Sequence, residues 1–312
     1  MPHPEKTMHF PAIARTLIGN AGFEVHISGK RKELLLSTCD RLFTDARSHG
    51  EVSVQVGTAA LRLDLANPSE RLLYYAPHNL LRSYRNSPLF PILSRVAIRS
   101  GLFVDIGANL GMYSLLARTL GLDSLLFEPE PVHFAFLSRN ASSIGKAVAC
   151  ALSNRSGTTD FFVSGPTNPG SSSLVMPEGG WSHSEYQQAV SVRLCTFDFA
   201  LAELHIDPAS IRLIKVDVEG NEELTVQGMR GYLSGEAPAP VWCEVRGPSS
   251  GRGRNSVYSV TNFLAQFGYK PFRYEGGHLL PFRLGHDPEP QVFDLLFAVP
   301  GLHGNVLPPQ TL

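Results

Sequence analysis

The stretch that decides the fold runs from Leu102 to Glu128, L-F-V-D-I-G-A-N-L-G-M-Y-S-L-L-A-R-T-L-G-L-D-S-L-L-F-E. It opens with a short apolar run, Leu102 to Ile106, that holds one acid, Asp105. Gly107 and Gly111 follow, then a helical apolar pattern, then a second apolar run ending in Glu128. Strand, glycine turn, helix and strand make a βαβ unit with a binding turn at its first junction. Gly107 lets the chain turn sharply or bring its backbone close to a ligand. The start of the following helix offers unpaired N–H groups.

Two cofactor classes use such a unit. The dinucleotide fingerprint is G-x-G-x-x-G. Here Gly107 is followed by Asn109, Gly111 and Ser114, so that glycine spacing fails. Asp105 also stands just before the turn, where it would repel a pyrophosphate. S-adenosylmethionine carries a sulfonium and an ammonium but no phosphate, so a carboxylate at the strand end suits it. Glu128 suits either cofactor, because its oxygens can accept ribose hydroxyls. The structural alternative is an ordinary α/β turn capped by Asp105.

The chain resembles the FkbM-type methyltransferases. The resemblance rests on V-D-I-G-A-N-L-G-M-Y-S from Val104, F-E-P-E-P from Phe127, A-L-S-N-R-S-G from Ala151 and I-K-V-D-V-E-G-N-E from Ile214. It spans Leu102 to Pro300, with a weaker lead-in from Leu61. It implies S-adenosylmethionine-dependent O-methylation of a hydroxyl on a small molecule such as a sugar or natural product, without fixing the acceptor. Asp105, Gly107, Asn109 and Gly111 would then hold the methionine part, Glu128 the ribose, and Leu152 and Asn154 the surroundings of the adenine. At Cys195-Thr196-Phe197-Asp198-Phe199 the chain departs from the family pattern, which leaves the role of Asp198 open.

Methyl transfer is an in-line displacement in which proximity and alignment do much of the work. A hydroxyl acceptor also needs a proton acceptor. Asp217, at the end of a core strand, is the first candidate, with Glu219 and Glu222 in reserve. Glu222 and Glu223 also sit where a helix dipole favours acids. Lys215 lies in a strand expected to be buried on both faces, so it needs a partner. Glu244 on the neighbouring strand is the partner expected. Oxygen-rich sites suit Mg²⁺, but these acids have other uses and no metal is assigned.

The 312 residues suggest about two domains or one large one. A hydrophobic content of 43% is ample for a core, and a net charge of -1 argues against a nucleic-acid surface. Cys39, Cys150, Cys195 and Cys243 form no C-x-x-C pair. The N-terminus lacks a signal-peptide pattern and no run approaches a membrane span, so a soluble, cytoplasmic protein is expected. Competing readings are a non-catalytic cofactor-binding or interaction module, an NAD-dependent oxidoreductase and a nucleic-acid methyltransferase.

Residues 1–100 are expected to be a lead-in that covers the substrate, with helices over Phe10–Ile18 and Leu34–Arg47. Val52 to Leu65 alternates as a hairpin turning near Gly57. Residues 101–300 alternate strand and helix, which implies an α/β domain with a mainly parallel sheet. Two final strands, Tyr269–Tyr274 and Phe293–Val299, imply an antiparallel edge pair. This resembles the Rossmann-like seven-stranded class I methyltransferase fold, with strand order 3-2-1-4-5-7-6. Ser164 to Gln188 is long, polar and rich in Gly and Ser, the profile of a lid. Residues 301–312 form a loose tail.

Overall fold

The computed structural model describes residues 51–75, 77–164, 172–175, 186–248 and 256–307. The helices expected over residues 10–18 and 34–47, most of the 164–188 connection and the end of the tail lie outside the described residues. The chain divides into two compact units, Met1–Asn86 and Ser87–Leu312.

In the first unit, Glu51–Val56 (β1) and Ala59–Asp64 (β2) form the expected hairpin, with Val56 opposite Ala59. Gly57, at φ 61°, supplies the left-handed residue that a two-residue hairpin turn requires. Val54, Val56, Leu61 and Leu63 alternate onto one buried face. Pro68–Tyr75 (α1) and Pro77–Arg85 (α2) follow. The Glu70 carboxylate accepts from the Asp64 amide at 2.6 Å and ties α1 to the end of β2.

The second unit opens with Leu89–Val96 (α3), whose Leu89, Ile92, Leu93 and Val96 pack with Phe103, Leu213 and Trp242. Leu102–Ile106 (β3), Met112–Thr119 (α4) and Asp123–Phe127 (β4) are the expected βαβ unit. Pro131–Arg139 (α5) begins with proline at its first position, and the Glu130 carboxylate caps it by accepting from Val132 and His133. Ala141–Ile144 (α6) and Lys146–Val148 (β5) come next. The strand expected over Ala147–Leu152 is broken in two. Lys146–Val148 pairs with β4, whereas Ala151–Leu152 (β6) leaves the main sheet and pairs with Tyr186–Cys195 (β8). Gly157–Ser164 (β7) completes this separate three-stranded sheet.

Phe197–Glu203 (α7) leads to Ile211–Val216 (β9). The helix expected from Asn221 to Leu233 is two helices, Glu222–Gln227 (α8) and Arg230–Leu233 (α9). The break falls at Gly228, which packs so tightly on the Ser153 carbonyl that no Cβ would fit. Val241–Arg246 (β10), Ser256–Ala265 (α10), Lys270–Glu275 (β11), His278–Pro281 (β12) and Val292–Ala298 (β13) finish the unit.

The main sheet has eight strands in the order β12-β11-β13-β10-β9-β3-β4-β5. From β5 to β10 the strands are parallel, and β13 and β11 add the expected antiparallel pair. The expected seven-stranded order is therefore present, with β12 as an added edge strand. Successive residues point to opposite faces. Val104, Ile106, Ile214 and Val216 enter one core, while Phe103, Leu213, Trp242 and Leu296 enter the other. Both faces are covered, as a parallel sheet requires. Among the described residues, no helix is long and apolar enough to cross a membrane.

Candidate active site

The strand order reverses at β3, which has β4 on one side and β9 on the other. Open α/β sheets bind ligands outside the carboxyl ends of their strands at such a point. Here the turn after β3 is held from both sides. The Gly107 amide donates to Phe127 O at 3.0 Å, and the Asp217 amide donates to Ile106 O at 3.0 Å. Gly107 has φ 77° and lies against the Asp217 carbonyl with no room for a Cβ. Asn109 also takes the left-handed region, at φ 51°, which asparagine tolerates better than most residues. This conformation aims its amide at Glu128 Oε2, 2.7 Å away.

A cleft of about 530 Å³, partly open to solvent, lies against this turn. Its lining includes Gly107, Asn109, Glu128, His133, Leu152 and Asp217. Cys150, Phe161 and Leu174 supply much of its apolar wall. Its carboxylates are Glu128, Asp217 and Glu219, and no lysine or arginine lines it among the described residues. Glu128 is buried, and its Oε1 accepts from the Glu130 amide at 2.9 Å. Burial raises its pKa to about 7, against the lowering pull of the Asn109 and Glu130 amides.

Asp105 sits beneath the turn rather than in the cleft lining. It is 1% exposed, and its oxygens accept from Ser114 Oγ at 2.8 Å and Lys215 Nζ at 3.2 Å. Lys215 also donates to Gly107 O at 3.1 Å and lies 3.3 Å from Asp217 Oδ2. The expected pairing of Lys215 with Glu244 is therefore wrong. Register explains the difference. Lys215 stands directly across from Asp105 on β3, whereas its opposite on β10 is Trp242, two positions before Glu244. The carboxylates of Asp105 and Asp217 raise the Lys215 pKa and hold the buried ammonium charged, against the pull of burial.

Glu244 pairs with Arg246 at 3.0 Å, and the same Arg246 Nη2 reaches Glu219 at 2.6 Å. Burial and the charges of Asp217 and Glu219 push the Glu244 pKa well up. Oxygens of Asp217, Glu219 and Glu244 lie within 4.8 Å of one another, close enough to share a cation, though Arg246 already stands between two of them. Glu219 has φ 55°, and its carbonyl accepts from Ser173 Oγ at 2.6 Å. Ser173 belongs to the short described part of the expected lid, residues 172–175.

Other residues singled out in the sequence lie outside the lining. Gly111 packs against Ile144 and Leu137. Asn154 bonds Gln227 at 3.0 Å. Glu222 is fully buried, with Oε1 on the Gly220 amide at 2.7 Å. Asn221, the N-cap of α8, and Thr225 within it both donate to the Leu152 carbonyl at 3.0 Å and so hold that part of the cleft wall in place. Asp198 gains a role: its carboxylate accepts from the Gly231 and Tyr232 amides at 2.7 and 2.8 Å and caps α9. Sequence reading missed His133, Ser173 and Arg246. His133 carried a usable signal, standing in the first turn of the helix that follows Glu128.

No curated protein matches the chain in sequence. Among solved structures, it is similar to a TehB-like SAM-dependent methyltransferase from Corynebacterium glutamicum, at 14% identity, 71% of this chain, 96% of that chain and TM-score 0.33. The C-terminal domain of precorrin-6Y C5,15-methyltransferase from Rhodobacter capsulatus gives 15% identity, 66% and 84% coverage and TM-score 0.32. The METTL16 MTase domain gives 13% identity, 85% and 91% coverage and TM-score 0.40. The family described as Methyltransferase FkbM domain matches residues 105–271, from the acid under the glycine turn to the start of β11. That region is more than half of the chain and contains both the switch point and the cleft, and the chain belongs to the FkbM methyltransferase domain family.

Proposed function

We propose that this chain transfers a methyl group from S-adenosylmethionine to a hydroxyl of a small-molecule acceptor such as a sugar or natural product. The observation that carries the cofactor assignment is the charge of the cleft: Glu128, Asp217 and Glu219 line it, with no lysine or arginine among its described lining. Such a set of carboxylates fits a cationic, phosphate-free nucleoside and opposes a dinucleotide's pyrophosphate. S-adenosylmethionine supplies a methyl carbon already activated by its sulfonium.

The chain's own residues then bind and align. Ionised Glu128 accepts a ribose hydroxyl with a lone pair left free beside its two amide donors. Gly107 and Asn109 bring backbone alongside the methionine part, and Leu152 walls the adenine. Asp105 and Gly111 support the turn from below and behind. Asp217, with its side chain 35% exposed at the cleft, takes the acceptor's proton. Glu219 is the reserve base, tied for now to Arg246. Glu222 acts through Gly220, shaping the turn that carries Glu219.

The test is labelled methyl transfer from S-adenosylmethionine into a metabolite extract, with the same preparation of Asp217→Asn alongside. Wild type should label an acceptor that releases its label only under conditions that cleave methyl ethers. Asp217→Asn should turn over roughly 10²–10⁴ more slowly with near-normal cofactor affinity. Label in an amine or on carbon would end the O-methylation reading, and tight NAD binding without S-adenosylmethionine binding would end the cofactor reading.

A further inference from the structure

We propose that His133 is a cofactor-contacting residue whose Nε2 accepts a hydrogen bond from the bound nucleoside, from a ribose hydroxyl or from the 6-amino group of adenine. The inference rests on the S-adenosylmethionine reading above. A buried histidine in an apolar region is ordinarily a satisfied core residue, and this chain contains one for comparison. His303 takes the Val299 amide on Nδ1 at 2.8 Å and meets Pro238 O with Nε2 at 2.8 Å, so both ring nitrogens are used by protein. His133 is different. It is 6% exposed, its Nδ1 lies 3.3 Å from Glu130 Oε2, and the residue lines the cleft together with Glu128. No described residue bonds its Nε2.

The chemistry of the ring follows from its neighbour. The Glu130 carboxylate is an acceptor, already taking the Val132 and His133 amides at 3.2 and 2.8 Å. A carboxylate oxygen 3.3 Å from Nδ1 can only accept, so it favours the tautomer that carries the proton on Nδ1. Burial keeps the ring neutral, although Glu130 pulls the other way. In that tautomer Nε2 presents a lone pair. Asp217 and, once ionised, Glu128 are acceptors as well, so the cleft asks its ligand for donors. The nucleoside offers them as the ribose hydroxyls and the 6-amino group. Glu130 thus has two jobs: it caps α5 and it orients the ring that reads the ligand.

The experiment is calorimetry on the full chain with S-adenosylhomocysteine, its 2′-deoxy and 3′-deoxy analogues, and the analogue with unsubstituted purine in place of adenine. The variants are His133→Asn and His133→Gln. Asparagine keeps an N–H toward Glu130 and removes the acceptor, whereas glutamine can place a carbonyl oxygen near the Nε2 position. His133→Asn should bind S-adenosylhomocysteine about 3–10-fold more weakly, the range of one neutral hydrogen bond. His133→Gln should recover most of that loss. The analogue lacking the true donor should lose a similar factor in wild type and lose nothing further in His133→Asn, and which analogue behaves so identifies the donor. His133→Asn binding within about twofold of wild type, or additive losses for every analogue, overturns the proposal. Wild type failing to bind S-adenosylhomocysteine overturns the cofactor reading as well, a separate result. Should the variants not fold, the Nε2 nitrogen resonance of wild-type His133 decides: it should move on adding S-adenosylhomocysteine and fail to move with one of the analogues. No movement refutes the contact.

Discussion

Replacing Lys215 by methionine tests what holds the glycine turn in place. The side chain is nearly isosteric but uncharged, and it leaves Asp105 1% exposed with only Ser114 as a polar side-chain partner. At the observed separation of 3.2 Å, Coulomb's law with an effective dielectric of about 20 gives roughly 5 kcal/mol of attraction. Truncating one member of a buried pair typically costs about 3–5 kcal/mol. Lys215→Met should therefore lose about 3–5 kcal/mol at pH 7, which urea denaturation measures. Adding Asp105→Asn removes the stranded charge and should restore most of the loss at pH 7. A deficit under about 1 kcal/mol, or no relief from Asp105→Asn, would refute the reasoning.

Glu128→Gln should change the pH dependence of stability. The folded pKa of Glu128 is raised to about 7 from 4.5, so the folded state holds a proton that the unfolded state releases. The group's contribution is fully present below pH 4.5 and is lost as pH rises through about 7, a swing of roughly 3 kcal/mol. The stability of wild type relative to Glu128→Gln should fall across that window in urea titrations, and a flat difference would show that Glu128 is not desolvated. Asp198→Ala removes the acceptor for the Gly231 and Tyr232 amides and should cost about 1–2 kcal/mol in the same assay, with cofactor binding unchanged.

The sequence by itself determined the sheet's parallel core and which end of it carries the carboxylates. Apolar runs of strand length alternating with helical periods leave few topologies, and Asp105, Glu128 and Asp217 could be placed at strand ends by counting, whereas Glu244 falls inside β10. The two-residue turn at Gly57 is legible for the same local reason, and Gly276-Gly277 carries an equal signal for the β11–β12 hairpin. Other features needed neighbours brought from far along the chain. That Ala151–Leu152 leaves the main sheet depends on the partner strand Tyr186–Cys195. That α8 ends at Gly228 depends on the Ser153 carbonyl. The partner of Lys215 depends on register: Asp105 is 110 residues away and directly opposite, whereas Glu244 is nearer in sequence and stands past Trp242. Burial and cross-strand register are sums over distant parts of the chain, so charge pairing and the free nitrogen of His133 are decided only when the tertiary structure closes around them.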